Sequence, residues 1–293
     1  MPDHERVLRC GRFTLSLRRP LVMGVLNLTR DSFSDGGRYL DPRAALEHAR
    51  QLAYDGADII DIGAESTRPG AAPVPEAEEA ARVLPLLSAL AAIELPLSVD
   101  TRKPGVMRAA IDSGASMIND VAALRAPGAV DTVASSDVAV CLMHMQGDPQ
   151  TMQAAPEYGD VVADVASFLR QRVQVCRDAG IAEDRIVIDP VFGFGKRVDH
   201  NLAMLQRLNE LTALGLPLLA GLSRKATIGR LTGREPGDRL AGSLGAALSA
   251  VAHGASIVRV HDVRETVDAL KVWNSAHGCA DPDSNPASIP GGT

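Results

Sequence analysis

A (β/α)8 barrel is the fold class that the sequence predicts, on three observations. Short runs rich in Val, Ile and Leu recur eight times. Each is followed by a polar loop and then by a longer Ala- and Leu-rich segment with helical spacing. The runs are apolar almost throughout rather than alternating, as strands of a parallel sheet buried on both faces must be. Closure into a barrel is the simplest architecture for eight such βα units. An open doubly wound sheet is the alternative, but no GxGxxG follows the first run to favour a dinucleotide-binding reading.

The elements follow in order. Residues 7 to 20, "VLRCGRFTLSLRRP", read as a β-hairpin, with turn material at Cys10-Gly11-Arg12 and alternation on both sides, serving as a lid or an edge. The barrel strands are expected at 21–28, 57–63, 95–101, 116–121, 138–145, 185–190, 216–223 and 255–261. Helices are expected from Asp41 to Tyr54, Pro75 to Ala92, Pro104 to Ser113, Gly128 to Ser135, Asp160 to Ala179, His200 to Leu211, Arg239 to His253 and Val263 to Ser275. The first opens on Asp-Pro, a cap followed by a preset first turn. Several end in "DGAD", "SGAS", "DAGI" or "HGAS", where glycine supplies the left-handed residue that stops a helix before the next strand. Three regions are thus expected: a hairpin extension over residues 1–20, a single barrel over 21–275, and a disordered Pro-, Ser- and Gly-rich tail over 276–293.

Composition narrows the function. The 293 residues are 46% apolar, enough for a substantial core, and the net charge of −6 argues against a broad basic face for nucleic acid. Any anion site must be local. Cys10, Cys141, Cys176 and Cys279 are widely spaced with no CxxC, which suggests neither a zinc site nor a disulfide framework and fits a reducing cytoplasm. The N-terminus lacks a signal-peptide core, and no apolar run approaches the roughly 18 residues that span a bilayer, so no membrane partner is expected.

Polar residues collect at the C-terminal ends of the strands, where barrels place their chemistry. In strand order these are Asn27, Asp61, Asp100, Asn119 with Asp120, His144, Asp189, Lys225 just past Ser223, and Arg259 with His261. Asp100, Asn119 and Asp189 suit a flat heterocycle rich in N–H donors, with Lys225 donating to a ring acceptor. Arg259 and His261, just before a helix N-terminus, suit phosphate. Plainer readings stand beside these. Asp61 and Asp120 serve equally as loop caps or partners of arginines. His144, between two methionines, reads better as a core histidine than as a base. Arg68 and Lys196 read as solvated loop charges.

In order along the chain, "MGVLNLTRDSFSDGG", "DIGAESTRPGA", "SVDTRKP", "MINDV", "MHMQGDPQTMQ", "DPVFGFGK", "GLSRK" and "RVHDV" resemble the dihydropteroate synthase family, over residues 23 to 263. The resemblance implies a transferase of folate biosynthesis that joins a dihydropterin pyrophosphate to p-aminobenzoate and releases pyrophosphate with the help of Mg²⁺. It implies that Asp100, Asn119, Asp189 and Lys225 hold the pterin edge, with Met143 and Phe194 against its ring. Asn27, Arg68, Arg259 and His261 would hold the pyrophosphate, with Asn27 and Asp35 at the metal. Phe33, Thr67, Pro69, Lys225 and Ala226 would shape the p-aminobenzoate pocket. Asp100, Asp189, Lys225 and Asp35 are the implied catalytic set. A cytoplasmic homodimer, paired through outer helices, is expected.

Four residues depart from the family pattern. Arg30 stands for a usual Pro, Val191 for a usual Gly, Arg197 for a small polar residue and Ala226 for a hydroxyl residue. If the glycine conformation is needed at 191, a β-branched residue there is strained. The departures motivate one alternative, a non-catalytic pterin-binding paralogue. Another is a pterin-dependent methyltransferase domain, which shares the pterin acids and amide but not the "SRK", "RVHD" and "TRDSFSDGG" motifs. A Schiff-base aldolase using Lys225 ranks last, because the neighbouring acids favour that lysine as a donor.

Overall fold

The computed structural model of the chain describes residues 6–28, 42–66, 72–147, 151–153 and 155–277. Two strands, β1 (Val7–Cys10) and β2 (Phe13–Ser16), pair antiparallel as the predicted hairpin. The eight barrel strands then follow, all parallel: β3 (Leu21–Asn27), β4 (Ile59–Gly63), β5 (Leu97–Asp100), β6 (Met117–Asp120), β7 (Ala139–Met143), β8 (Ile186–Asp189), β9 (Leu219–Ala220) and β10 (Ile257–Val260). Their order around the sheet is β8-β7-β6-β5-β4-β3-β10-β9, and a parallel bridge between Ile188 and Leu218 joins the two ends into a barrel. β9 is shorter than its apolar run; Pro217, with no N–H to give to a ladder, delays its start.

The helices are α1 (Pro42–Tyr54), α2 (Glu76–Ala89), α3 (Pro104–Asp112), α4 (Ala129–Ala134), α5 (Val161–Asp178), α6 (Val198–Gln206), α7 (Ala226–Thr232), α8 (Leu240–Ala252) and α9 (Val263–Ala276). Four of the predicted stops are made as expected: Gly56, Gly114, Gly180 and Gly254 have φ between +84° and +97°. The helix expected over 200–211 is shorter, ending at Gln206 before a 3-10 segment, Leu208–Leu214. Helix α7 is absent from the sequence reading, since "ATIGRLT" is short, β-branched and holds a glycine. The structure gives Gly229 a reason. A Cβ there would collide with the Arg239 guanidinium, which lies against the helix and donates to the Arg224 carbonyl at 2.9 Å.

Alternation along each strand separates two cores. Ile60, Ile62, Val99, Ile118, Val140, Ile186, Ile188 and Val258 face the helices. Leu21, Met23, Ile59, Met117, Ala139, Val187, Leu219 and Ile257 fill the barrel. Leu8 and Cys10 of the hairpin, both fully buried, join this inner core from below. Gly11 donates to the Asp137 carbonyl at 3.0 Å, and Arg9 pairs with Asp184 at 2.7 Å, next to the N-terminal ends of β7 and β8. The hairpin therefore plugs the end of the barrel opposite the strand C-termini. It is neither a lid over the mouth nor a sheet edge, because one face of β1 is apolar enough to close the barrel floor.

Candidate active site

The inner face of the barrel changes from apolar to polar on the way up. On β4 the inward series is Ile59 then Asp61, on β6 Met117 then Asn119, on β8 Val187 then Asp189, and on β10 Ile257 then Arg259. Register places Asp61 beside Ser98, Asp100 beside Asn119, and Met143 beside Asp189. The fold thus brings to one mouth acids and amides that are far apart in sequence.

Asp61 lies at the centre of a buried network. Its Oδ1 accepts from Ser98 Oγ at 2.6 Å; its Oδ2 accepts from Asn119 Nδ2 at 3.1 Å and from Arg259 Nε at 2.6 Å. Arg259 Nη2 donates to Asp100 Oδ2 at 3.1 Å. Burial opposes the guanidinium charge, but the two carboxylates more than offset it and hold Arg259 charged. Burial also pushes the Asp100 carboxyl up, against the pull of Arg259. Asn119 Oδ1 is buried without a partner among the described residues. An unpaired buried acceptor costs roughly 1–3 kcal/mol, which a ligand N–H would recover.

A second group lies across the mouth. Asp189 Oδ1 accepts from Val191 N at 2.7 Å, and Lys225 Nζ donates to Phe192 O and stands 5.1 Å from the centre of the Phe194 ring. Burial raises Asp189 to about 6 while Lys225 pulls it down. Burial lowers Lys225 to about 8 while Asp189 holds it up. Lys225 also feels Asp100 and Arg259, so the two groups share one electrostatic site.

Backbone strain collects at the same end. Among the described residues, four non-glycine residues have left-handed φ: Ala123 and Leu124 after β6, Val191 after β8 and Arg224 after β9. All lie in loops at the strand C-termini, where such strain is characteristic of functional sites. Val191, at φ +50° and almost fully buried, does occupy the conformation that glycine would take more easily. Arg224, at φ +58°, is held by Ser243 Oγ on its N–H, by Arg239 on its carbonyl and by Asp262 on its guanidinium. That turn sets Lys225 and Ala226, the first residue of α7.

Several plainer readings can now be settled by position. Asp120 caps its loop, accepting from Ala122 N and Leu124 N at 2.7 Å each. His144 is a core histidine, packed edge-on to Phe168 at 5.0 Å, and burial lowers it to about 3. Lys196, expected as a solvated charge, is instead only 3% exposed, because the turn at Gly195 folds it back against His144. Asp61 is the partner of an arginine, as its plainer reading has it, with the carboxylate fully buried inside the barrel. The alternation Ile59-Asp61 against Ile60-Ile62 carried the signal, since it marks a carboxylate aimed into the barrel rather than at a helix.

Asn27 and His261 stand at the rim. A Cβ on Gly63 would lie 3.7 Å from Asn27 Oδ1 and 3.8 Å from Asp100 Oδ2, so both oxygens face this glycine. His261 Nδ1 is 3.1 Å from Ser223 Oγ. Arg197 is exposed, pairs with Asp199 and donates to Pro156 O, away from the groups above. Glu65 takes Val74 N, Arg102 and Lys103, tying together both sides of the loop after β4. Arg30, Phe33, Asp35, Thr67, Arg68 and Pro69 lie outside the described residues, as does the expected tail from residue 278. Among the described residues no three His, Cys, Asp or Glu side chains gather as a metal centre. The hard amide oxygen of Asn27 nevertheless suits Mg²⁺, which uses one or two protein oxygens and takes the rest from phosphate and water.

Comparison with known proteins agrees with this geometry. The family model described as pterin binding enzyme matches residues 23–261. The dihydropteroate synthase of Neisseria meningitidis serogroup B is 53% identical over 278 residues, covering 92% of this chain and 98% of its own. A Xanthomonas albilineans dihydropteroate synthase structure with 4-aminobenzoic acid superposes with a TM-score of 0.87 at 53% identity, covering 93% of this chain and 98% of that one. A Burkholderia cenocepacia dihydropteroate synthase complexed with 7,8-dihydropteroate superposes with a TM-score of 0.85 at 50% identity, covering 94% and 97%.

Proposed function

The chain belongs to the pterin binding enzyme family, and we propose that it is a dihydropteroate synthase, condensing 6-hydroxymethyl-7,8-dihydropterin pyrophosphate with p-aminobenzoate to give 7,8-dihydropteroate and pyrophosphate. The observation that carries this is the convergence of Asp100, Asn119, Asp189 and Lys225 on one mouth, with the Arg259 cation bonded to Asp61 and Asp100 beside them.

The side chains suit the chemistry without a protein nucleophile. Asp189, ionised above about pH 6, accepts from the amino and ring N–H groups of the pterin, and the free Asn119 Oδ1 accepts another. Lys225 donates to a ring acceptor, and Met143 and Phe194 bracket the ring faces. As the carbon–oxygen bond to pyrophosphate breaks, positive charge develops on the dihydropterin, and the buried carboxylates stabilise it from fixed positions. Arg259 and His261 hold the departing diphosphate. Arg68 would join them in this reading, and Phe33, Thr67 and Pro69, outside the described residues, would shape the p-aminobenzoate pocket with Lys225 and Ala226. Mg²⁺, when bound, neutralises diphosphate charge, with Asn27 and Asp35 as its protein oxygens. The aniline nitrogen then attacks from an oriented position, which replaces a costly encounter.

The reading extends to a homodimer in the cytoplasm. Leu231 on α7 and Leu240 on α8 leave apolar surface exposed on neighbouring outer helices, and Cys10, Cys141 and Cys176 are all free thiols. Among the described residues no helix is long and apolar enough to cross a membrane.

Pyrophosphate release in a coupled assay tests the function. It should require both the dihydropterin pyrophosphate and p-aminobenzoate and should rise with Mg²⁺. Release at the full rate without p-aminobenzoate would make the protein a hydrolase and refute the assignment.

A further inference from the structure

Lys196 and His144 form a buried pair that the reaction described above does not use. Lys196 Nζ lies 3.0 Å from His144 Nδ1 and 3.3 Å from Phe194 O. Among the described residues no carboxylate lies within ion-pairing distance of this ammonium. A lysine only 3% exposed is held instead by an imidazole and a carbonyl. With Nζ as the donor, Nδ1 accepts and the imidazole carries its proton on Nε2; burial lowers His144 to about 3, which keeps it neutral, and lowers Lys196 to about 7.

The purpose of so costly an arrangement is visible in the loop after β8. Four successive carbonyls there are each taken by a side chain from elsewhere in the chain or the loop. Phe192 O accepts from Lys225, Gly193 O from Gln153, Phe194 O from Lys196, and Gly195 O from Tyr158 Oη at 2.7 Å. Gly193 N donates to Asn201 Oδ1 at 2.8 Å. Gly193 and Gly195 are both left-handed, and a Cβ on Gly195 would press on Gln146 O at 2.9 Å, so the loop has no regular structure to hold it and depends on these bonds. Tyr158 lies tilted and Phe168 edge-on against His144, with ring centres 6.1 and 5.0 Å from the imidazole. The backbone N–H of His144 also donates to Asp189 O at 3.0 Å, so the pair is anchored to the strand that ends in that acid.

We propose that Lys196, braced by His144, is a positioning residue that fixes the Phe192–Phe194 backbone and thereby sets the Phe194 ring and the Lys225 ammonium against the pterin. It touches no substrate. Its effect reaches the pterin through two carbonyls of one short loop, Phe194 O directly and Phe192 O through Lys225. Lys225 also belongs to the proposed p-aminobenzoate pocket but Phe194 does not, so p-aminobenzoate should feel the change less than the pterin does.

This inference rests on the dihydropteroate synthase reading, and its test separates the two. Steady-state kinetics with Mg²⁺ are measured for the wild type, Lys196→Met, His144→Phe and His144→Asn. Calorimetric titration of each with 7,8-dihydropteroate is run alongside. Lys196→Met and His144→Phe should raise KM for the dihydropterin pyrophosphate by about fivefold to tenfold, the scale of one hydrogen bond, and weaken dihydropteroate to match. KM for p-aminobenzoate should stay within about twofold. His144→Asn, which keeps an acceptor near the Nδ1 position, should recover most of what His144→Phe loses. Equal changes in both KM values, or no recovery by asparagine, would reduce the pair to a structural role and overturn the inference. If Lys196→Met does not fold, the contrast between the two His144 variants decides. A wild type that binds dihydropteroate but turns nothing over would refute the synthase reading, while the titrations still judge the pair.

Discussion

Removing the Asp61 carboxylate should unsettle the whole mouth of the barrel. Asp61 is fully buried and accepts three hydrogen bonds, from Ser98, Asn119 and Arg259. In Asp61→Ala all three donors lose their acceptor. Arg259 keeps Asp100 as a partner, and its side chain is 20% exposed, so water and the second carboxylate recover part of the loss. Breaking a buried ion pair from one side costs about 3–5 kcal/mol, and these two compensations point to about 3 kcal/mol. Asp61→Asn is milder. Its amide oxygen can take the place of Oδ2 and its amide nitrogen can donate to Ser98 Oγ, so only charge is lost, at about 1–2 kcal/mol. Equilibrium urea unfolding followed by far-UV circular dichroism measures both. The Arg259→Met partner and the double variant complete a cycle whose coupling should exceed about 1.5 kcal/mol. A loss below about 1 kcal/mol in Asp61→Ala, or additive single variants, would mean that Asp61 does not hold Arg259 and would refute the network.

The kcat/KM for the pterin substrate should be bell-shaped in pH, falling on the acid side as Asp100 and Asp189 take protons, at about 7 and about 6, and above about 8 as Lys225 loses one; an acid limb that survives unchanged in both Asp100→Asn and Asp189→Asn would contradict this. Stability of the free protein carries the opposite sign for the acid. The folded pKa of Asp189 lies above its ordinary value, so its contribution is fully present below about pH 4 and is lost as pH rises through 6, which urea midpoints across that range would show. Leu8→Ala, in the hairpin beneath the barrel, should cost about 2–5 kcal/mol while leaving both KM values unchanged, and an altered KM would mean that the hairpin acts on the mouth. At residue 191 glycine should be at least as stabilising as alanine, reversing the usual order, because relief of the left-handed backbone offsets about 1–2 kcal/mol; urea unfolding showing Val191→Ala clearly more stable than Val191→Gly would remove the strain argument.

The barrel was legible because its strands are largely apolar on both faces and several of its helices end on glycine, signals that local sequence carries by itself. The capped glycines Gly56, Gly114, Gly180 and Gly254 mark strand starts with little ambiguity. Helix α7 was not legible, since its segment is short, β-branched and holds Gly229, and the Arg239 guanidinium that packs across that glycine is a tertiary contact without local trace. The hairpin was readable as a hairpin but not as a floor, because which end of a barrel a segment closes depends on partners such as Asp137 and Asp184 that lie far along the chain. At the mouth, strand-end polarity found Asp100, Asn119, Asp189, Lys225 and Arg259. It left Asp61 open between a loop cap and an arginine partner, which the inward alternation and Arg259 decide for the second, and misjudged Lys196, whose burial depends on how the loop at Gly195 turns back.

The arrangement of charge also bears on how the proposed site would receive its substrate. Two acids, Asp61 and Asp100, share Arg259 on one side, and Asp189 is balanced by Lys225 on the other. Neither side holds a bare buried charge, which would be costly. A pterin that donates N–H groups to Asp100 competes with Arg259 Nη2 for the same Oδ2, whereas the bond from Nε to Asp61 is untouched by that competition. Asp61 can therefore keep the guanidinium anchored by one nitrogen while its far edge turns from Asp100 toward an incoming diphosphate. On the proposed reading, Asp61 would let one arginine both balance the buried acids and hold an anion.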